Sequence, residues 1–304
     1  MKLLMVLNRI SGGKNKDMFI SEAEELCKKY GIHWEYFHTT GANDEAELNK
    51  SIKSTNPDRI VSIGGDGTSL MTCISLKGSE IPFGIIPFGS ANGMAKELNV
   101  PNNPIEAFKD IIMSELIIPI DLVRVNQKYF SLHLGDVGAN AHMVEKFTKE
   151  KNRGWLSYAK HFVDAIQNTQ KFNVELNING EIIQQEAFSV IIANARMYGT
   201  GAIVNPKGNP HDGKFEIVVV KQSDLSGIIN LGLTSISEKA LDNLEDYYDI
   251  FQLDKAKIKF DEAKMLQLDG ELIGKFSEIE VDIISSAANF ITTRNNQFLS
   301  SEFD

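Results

Sequence analysis

The stretch IVSIGGDGTSLM, Ile60–Met71, sets one carboxylate, Asp66, among the glycines Gly64, Gly65 and Gly67 and the hydroxyl of Thr68. A β-branched apolar run leads into it and a second apolar pattern begins at Leu70. The turn therefore joins a strand to a helix. Such a junction offers backbone able to take φ > 0 and unpaired N–H groups at a helix start, which together hold anions. The helix dipole adds about half an elementary charge there. A plain βα turn with Asp66 as a cap explains this one stretch equally well, because a lone glycine motif is weak.

Three more strand ends carry the same kind of residue. LNRISGGKN brings Asn8, Ser11, Gly12, Gly13 and Lys14 to the end of the first strand, and His38-Thr39-Thr40-Gly41 closes the second. PFGSANGMAKEL brings Gly89, Ser90 and Asn92 to the end of the fourth. In a parallel sheet these ends meet along one edge, which makes a phosphate cradle of nucleotide size. No G-x-x-x-x-G-K-[ST] run and no dinucleotide fingerprint occurs. A carboxylate inside the cradle would repel phosphate unless it holds Mg²⁺ or takes a proton from an acceptor. Phosphoryl transfer requires that arrangement.

The elements that position these residues follow from hydrophobic period. Strand runs at Lys2–Asn8, His33–His38, Arg59–Ile63 and Pro82–Pro87 alternate with helical patterns at Asp17–Tyr30, Ala46–Ile52, Leu70–Leu76, Met94–Leu98 and Ile105–Met113. This predicts an α/β domain whose parallel sheet is covered by helices on both faces. Beyond about Leu122 strands dominate: Phe130–Leu134, Phe172–Ile178, Ala187–Ala193, Phe215–Val220, Ile250–Leu253, Lys257–Phe260, Met265–Leu268, Glu278–Ile283 and Asn289–Thr292. Turn signals such as NING and HDGK separate several of them, the pattern of an antiparallel sandwich. Helical segments near Leu156–Ile166 and Leu225–Leu241 interrupt it. The division is a nucleotide-binding domain at 1–122 and a β-rich domain at 123–285.

Composition narrows the class. The 304 residues are 42% hydrophobic and 24% charged with a formal charge of −10, which argues against broad nucleic-acid binding. Cys27 and Cys73 lack metal-type spacing and read as buried, reduced thiols. The first apolar run stops at Leu7, too short for a signal peptide. No run approaches the ~18 apolar residues of a membrane span. A cytoplasmic protein is expected. EKFTKEKNRGWLSYAKHF interleaves Lys146, Lys149, Lys151, Arg153 and Lys160 with Phe147, Trp155, Tyr158 and Phe162, which suits peripheral contact with an anionic membrane. A solvated loop followed by an amphipathic helix is the simpler account of the aromatics.

GGDGT after an apolar strand, followed by PFGSAN, resembles the diacylglycerol kinase catalytic-domain superfamily of bacterial lipid kinases, sphingosine kinases and ceramide kinases. LNRISGGK is similar to its first nucleotide motif, with Arg9 where proline is usual. Thr40 stands where a family threonine meets nucleotide. Asn194, Gly199, Gly201, Pro206, Asp212 and Gly213 follow its second-domain pattern, and Asp269, Gly270 and Glu271 its late DGE motif. The resemblance implies a first domain like that of phosphofructokinase and NAD kinase, a C-terminal β-sandwich, and a tail of about 286–304 that returns to the first domain. NAD kinase shares GGDGT, but its later motifs are missing here. Gly93 replaces an acidic residue common in bacterial members, and Ala141 stands near where sphingosine kinases place a carboxylate.

The resemblance implies an ATP-dependent lipid kinase with Mg-ATP held between its domains. Its acceptor is a hydroxyl of diacylglycerol, a sphingoid base, ceramide or a related lipid. Asn8, Ser11, Gly12, Lys14, Thr40, Gly64, Gly65, Gly67, Thr68, Gly89, Ser90 and Asn92 would contact the nucleotide. The base would be Glu271, as in bacterial lipid kinases, or Asp66, as in sphingosine kinases, with Asp269 a third candidate. Asp212 would hold a structural Mg²⁺, although Asp-Gly pairs at Asp212 and Asp269 also make ordinary turns. The alternatives are an NAD kinase-like small-molecule kinase and a non-catalytic nucleotide sensor. Oligomeric state has no signature in the sequence.

Overall fold

Short apolar runs alternating with amphipathic ones dictate the first half of the chain. The computed structural model describes residues 1–138, 170–197, 203–222 and 247–299. One unit comprises Met1–Ile120 with Ser286–Asp304, and the other Asp121–Ser285.

In the first unit β1 (Lys2–Leu7), α1 (Asp17–Tyr30), β2 (His33–His38), α2 (Asp44–Thr55), β3 (Arg59–Gly64), α3 (Asp66–Ser75), β4 (Phe83–Pro87), α4 (Gly93–Glu97) and α5 (Pro104–Met113) follow in order. The strands lie as β2-β1-β3-β4, all parallel. Chain order reverses between β1 and β3, the topological switch point at which open α/β sheets bind ligands. β1, β3 and β4 are buried nearly end to end, as their unbroken apolar sequences require. Phe19, Ala23 and Cys27 of α1 and Phe108 and Ile111 of α5 share one core cluster with β1, β3 and β4. Phe19 meets Phe88 edge-on at 5.3 Å and Phe108 at 6.1 Å; burying each such ring is worth about 1.5–3 kcal/mol. Cys27 and Cys73 are free and buried, and burial pushes the Cys27 thiol up to about 11.

The strands β5 (Ile117–Val125), β6 (Tyr129–Ser131), β7 (Leu134–Val137), β8 (Phe172–Ile178), β9 (Glu181–Ala187), β10 (Ser189–Ala193), β11 (Phe215–Val220), β12 (Tyr248–Leu253), β13 (Lys255–Leu268) and β14 (Glu271–Ile291) complete the described elements. The order β12-β11-β10-β7-β13 is antiparallel throughout. β13 pairs with β7 through Leu266–Leu268 and with β8 through Lys257–Phe260. Between these its register with β14 shifts, at Lys259/Lys264. Such an irregularity bends a strand, so β13 serves both layers of a β-sandwich. Val137, Val190, Ile192, Ile217 and Val219 share one core with Val174, Leu176, Ile258 and Phe260. The end of β14 belongs to the first unit, where Phe290 pairs parallel with Phe83 of β4.

Several boundaries differ from the sequence expectation for physical reasons. The runs at Lys257–Phe260 and Met265–Leu268 are one strand, because Asp261 accepts the Asn173 amide at 2.9 Å and holds the polar break in extended form. Glu278–Ile283 and Asn289 likewise fall within β14. Phe130–Leu134 divides into β6 and β7, bent around a distant carboxylate described below. Ala187–Ala193 divides at Phe188, and its first part is β9, an edge strand too polar to read as one. The expected helices near Leu156–Ile166 and Leu225–Leu241 lie outside the described residues.

Arg124 on β5 grips Asp282 on β14 in a fork, Nε to Oδ1 at 2.9 Å and a terminal nitrogen to Oδ2 at 2.6 Å. The guanidinium holds the Asp282 carboxyl below its usual range. A depressed carboxyl contributes stability above its unfolded pKa of about 3.9 and loses it as pH falls through the folded value. Asp282→Asn should therefore cost about 1.5–3 kcal/mol in urea unfolding at pH 7. The two proteins should converge as the medium is acidified below pH ~4; a gap that stays constant would contradict the assignment.

Candidate active site

The turns after β1, β3 and β4 are in mutual contact. Asn8 closes the first: its Oδ1 accepts the Ile10 and Ser11 amides, each at 3.2 Å, and Ser11 Oγ donates to Asn8 O at 3.1 Å. Its Nδ2 reaches across the switch point to Thr68 Oγ1 at 3.3 Å. Gly12 takes φ 65°, and a Cβ there would collide with Phe88 O in the β4 turn. Gly89 packs on Gly65, where an added Cβ would lie 2.5 Å from the Gly65 Cα. Asn92 caps α4 and spends its side chain on Gly89, accepting its amide at 2.7 Å and donating to its carbonyl at 3.0 Å. Gly64, Gly65, Gly67, Thr68, Gly89, Asn8, Ser11, Gly12 and Asn92 thus form one cluster. Gly12, Lys14, Gly67 and Ser90 are exposed on it.

Helix α3 starts at Asp66 rather than at Leu70. The apolar pattern missed this first turn because it is glycine and polar. Asp66 is thereby the first helical residue, and the amides of Asp66 and Gly67 lie in the turn that lacks intrahelical acceptors. Lys96 of α4 lies close enough for Asp66 to support its charge, against the burial that pushes its ammonium pKa down.

Thr40 is organised differently. Its amide and hydroxyl donate to Asp44 Oδ1 at 2.8 and 2.9 Å, and the Gly41 amide donates to Oδ2 at 2.8 Å. The Thr40 amide bond leads in holding the Asp44 carboxyl below its usual range. Asp44 occupies the donors that a phosphate would otherwise take, so this turn shapes itself rather than joining the cluster. Nothing in the sequence motif pointed to Asp44. Lys16 was also missed: it is buried and donates to the carbonyls of Arg9 at 3.3 Å, Ser11 at 2.8 Å and Lys14 at 3.3 Å, over the Phe88 ring. A lysine two residues beyond a glycine loop has no sequence mark that separates it from a solvated one.

In the second unit Asp269 and Gly270 make the hairpin turn between β13 and β14, both at positive φ, 48° and 89°. Glu271 is the first residue of β14, paired with Leu268 and exposed. The Asp269 carboxylate is directed back at Ser131–Leu134 and accepts four hydrogen bonds from that segment. Asp212 lies in the turn before β11. Its Oδ1 accepts the Lys214 amide at 2.9 Å, and its Oδ2 shares the Gln252 Nε2 donor with Glu216 Oε1, at 3.1 and 3.0 Å. Burial raises both carboxyls, and the Asp212 charge adds to the effect on Glu216. Glu216 is buried and Asp212 exposed, and no cluster of three metal-type side chains occurs among the described residues. Asn194 Nδ2 bridges Asp121 O at 3.0 Å and Leu132 O at 2.9 Å. Gly199, Gly201 and the basic aromatic segment of Lys146–Phe162 lie outside the described residues.

Residues 2–125 match the diacylglycerol kinase catalytic domain, and residues 136–285 match the YegS C-terminal NAD kinase beta sandwich-like domain. The chain is 22% identical over 273 residues to a diacylglycerol kinase of Bacillus subtilis (strain 168), covering 89% of each. It superposes on the crystal structure of a diacylglycerol kinase from Bacillus anthracis str. Sterne with a TM-score of 0.76 at 22% identity, covering 97% of this chain and 98% of that one. An NAD kinase from Archaeoglobus fulgidus in complex with ATP gives 0.55 at 16% identity, with 97% and 95% covered. These two likenesses are of fold. Among the described residues no helix is long and apolar enough to cross a membrane.

The contact between turns makes a stability prediction. Gly12→Ala and Gly13→Ala both put a side chain at positive φ, 65° and 62°, at about 1–2 kcal/mol each. Only Gly12→Ala also meets Phe88 O; the space around Gly13 is open. Denaturant melts should show Gly12→Ala to be worse by a further ~1–3 kcal/mol. Equal losses would mean that the two turns do not touch.

Proposed function

The chain belongs to the diacylglycerol kinase catalytic-domain superfamily, and on that footing we propose that it transfers the γ-phosphate of ATP to the hydroxyl of a lipid such as diacylglycerol or a sphingoid base. The observation that carries this reading is the cluster of turns at the switch point, with the exposed Gly67 and the Asp66 carboxylate in the first turn of α3.

The ATP phosphates rest against the amides of Gly65 and Gly67 and the exposed Ser90, with Lys14 adding charge beside them. Asn8, Gly12, Thr68 and Asn92 hold these turns together, and Thr40 fixes its own loop against Asp44. Asp66, a half-buried carboxylate set among amides, is the type of donor Mg²⁺ takes. Held there, the ion would supply neutralisation of the phosphate charge. Lys96 balances Asp66 from α4.

Glu271 accepts the proton of the lipid hydroxyl as that oxygen attacks the γ-phosphorus and ADP leaves. It is exposed and first in its strand, whereas Asp269 is already engaged by four donors. Asp212, with Glu216 beside it, would hold a structural Mg²⁺. A lipid acceptor brings the enzyme to a membrane surface, as a peripheral and cytoplasmic protein. The same fold accommodates an NAD kinase, so the acceptor rests on the family and not on the fold.

Glu271→Gln should lower kcat on diacylglycerol in mixed vesicles by about two to four orders of magnitude. ATP binding, followed by calorimetry, should stay within a few-fold of wild type. Near-normal turnover would overturn the assignment, and a matching loss in Asp66→Asn alone would move the base to Asp66.

A further inference from the structure

The late DGE motif contains two carboxylates of very different standing. Ser131 Oγ donates to Asp269 Oδ1 at 2.6 Å, the Leu132 amide to Oδ2 at 2.8 Å, and the His133 and Leu134 amides to Oδ1 at 3.1 Å each. The Asp269 amide returns a bond to Leu134 O at 2.9 Å. Consecutive amides turned on one anion form a concave nest, and here the anion is supplied by the chain itself. Of the roughly four acceptor sites of a carboxylate, these donors crowd three onto Oδ1 and place one on Oδ2, so most of the accepting capacity of Asp269 is spent within the protein. A general base needs an open lone pair within reach of the proton it takes.

The seat is fixed from its other side as well. Asn194 Nδ2 donates to Leu132 O at 2.9 Å and the Asn194 amide to His133 O at 3.0 Å. Ser131, His133 and Asn194 are each buried. The hairpin that carries Glu271 is thus bolted through Asp269 to a segment more than 130 residues earlier in the chain. Glu271 itself is exposed, so its direction is set by the turn that precedes it.

We infer that Asp269 is a positioning residue: it seats Ser131–Leu134 on the β13–β14 hairpin and so fixes the direction of Glu271, and it takes no proton from substrate. The inference rests on Glu271 as the base.

Four variants test it: Asp269→Asn, Glu271→Gln, their double mutant and Ser131→Ala. Asp269→Asn should lower kcat by about 10²-fold, the cost of a small misplacement, with KM for ATP unchanged. Its residual activity should keep the acidic limb of the pH profile where wild type has it. Amide hydrogen exchange at 132–134 should accelerate by about tenfold or more in Asp269→Asn and stay as in wild type in Glu271→Gln. The double mutant should be no slower than Glu271→Gln, because a residue that acts only through another adds nothing once that partner is gone.

Loss of the acidic limb in Asp269→Asn with the amides still protected would overturn the inference and make Asp269 the base. So would additive losses in the double mutant. If Glu271→Gln is fully active, the base assignment falls, while exchange at 132–134 still reports on the seat by itself. Should Asp269→Asn fail to fold, Ser131→Ala removes one donor of the four. It should then show the same changes, smaller; unchanged exchange there would count against the seat.

Discussion

The turns after β1, β3 and β4 can meet only because no Cβ stands between them. Gly12 against Phe88 O and Gly89 against Gly65 are backbone-to-backbone contacts, and side-chain bonds from Asn8 and Asn92 complete the fit. This close approach sets the amides of α3 beside the other two turns at the switch point. Continuous burial of β1, β3 and β4 makes the frame stiff enough to hold it. Everything proposed for the nucleotide follows from that constraint.

In the second unit an exposed carboxylate, Glu271, follows directly on a tightly held hairpin turn. A hairpin with both turn residues at positive φ sets the local geometry, and the four hydrogen bonds that Asp269 accepts tie that hairpin to the break between β6 and β7. The bent strand β13 carries the hairpin while serving both layers of the sandwich. The two neighbours differ in standing: Asp269 spends its charge inside the protein, whereas Glu271 is exposed.

Much of this was legible in the sequence where the signal is local. The unbroken apolar runs of β1, β3 and β4, the Asn179-Gly180 turn and the glycines around Asp66 each announce their conformation through their own chemistry. The rest depends on partners far along the chain. The interruption at Leu132–His133 has no local cause, since the amides there turn toward Asp269. Asp261 looked like a break but lies inside β13. Lys16 and Asp44 act on loops beside them, yet their types are those of ordinary surface residues. The acceptor is not written in any one motif, because the roles proposed for the turns and the hairpin concern phosphate and a proton and not the lipid.

The family assignment and the two carboxylate sites together make one claim, that phosphate leaves ATP for a lipid hydroxyl. The most direct measurement offers the protein ATP labelled at the γ-phosphate with a panel of vesicle-borne diacylglycerol, sphingoid base and ceramide, and NAD in the same buffer. The account predicts label in the lipid fraction on one of those acceptors and none on NAD. Label on NAD would contradict it, as would firm ATP binding with no transfer to any acceptor.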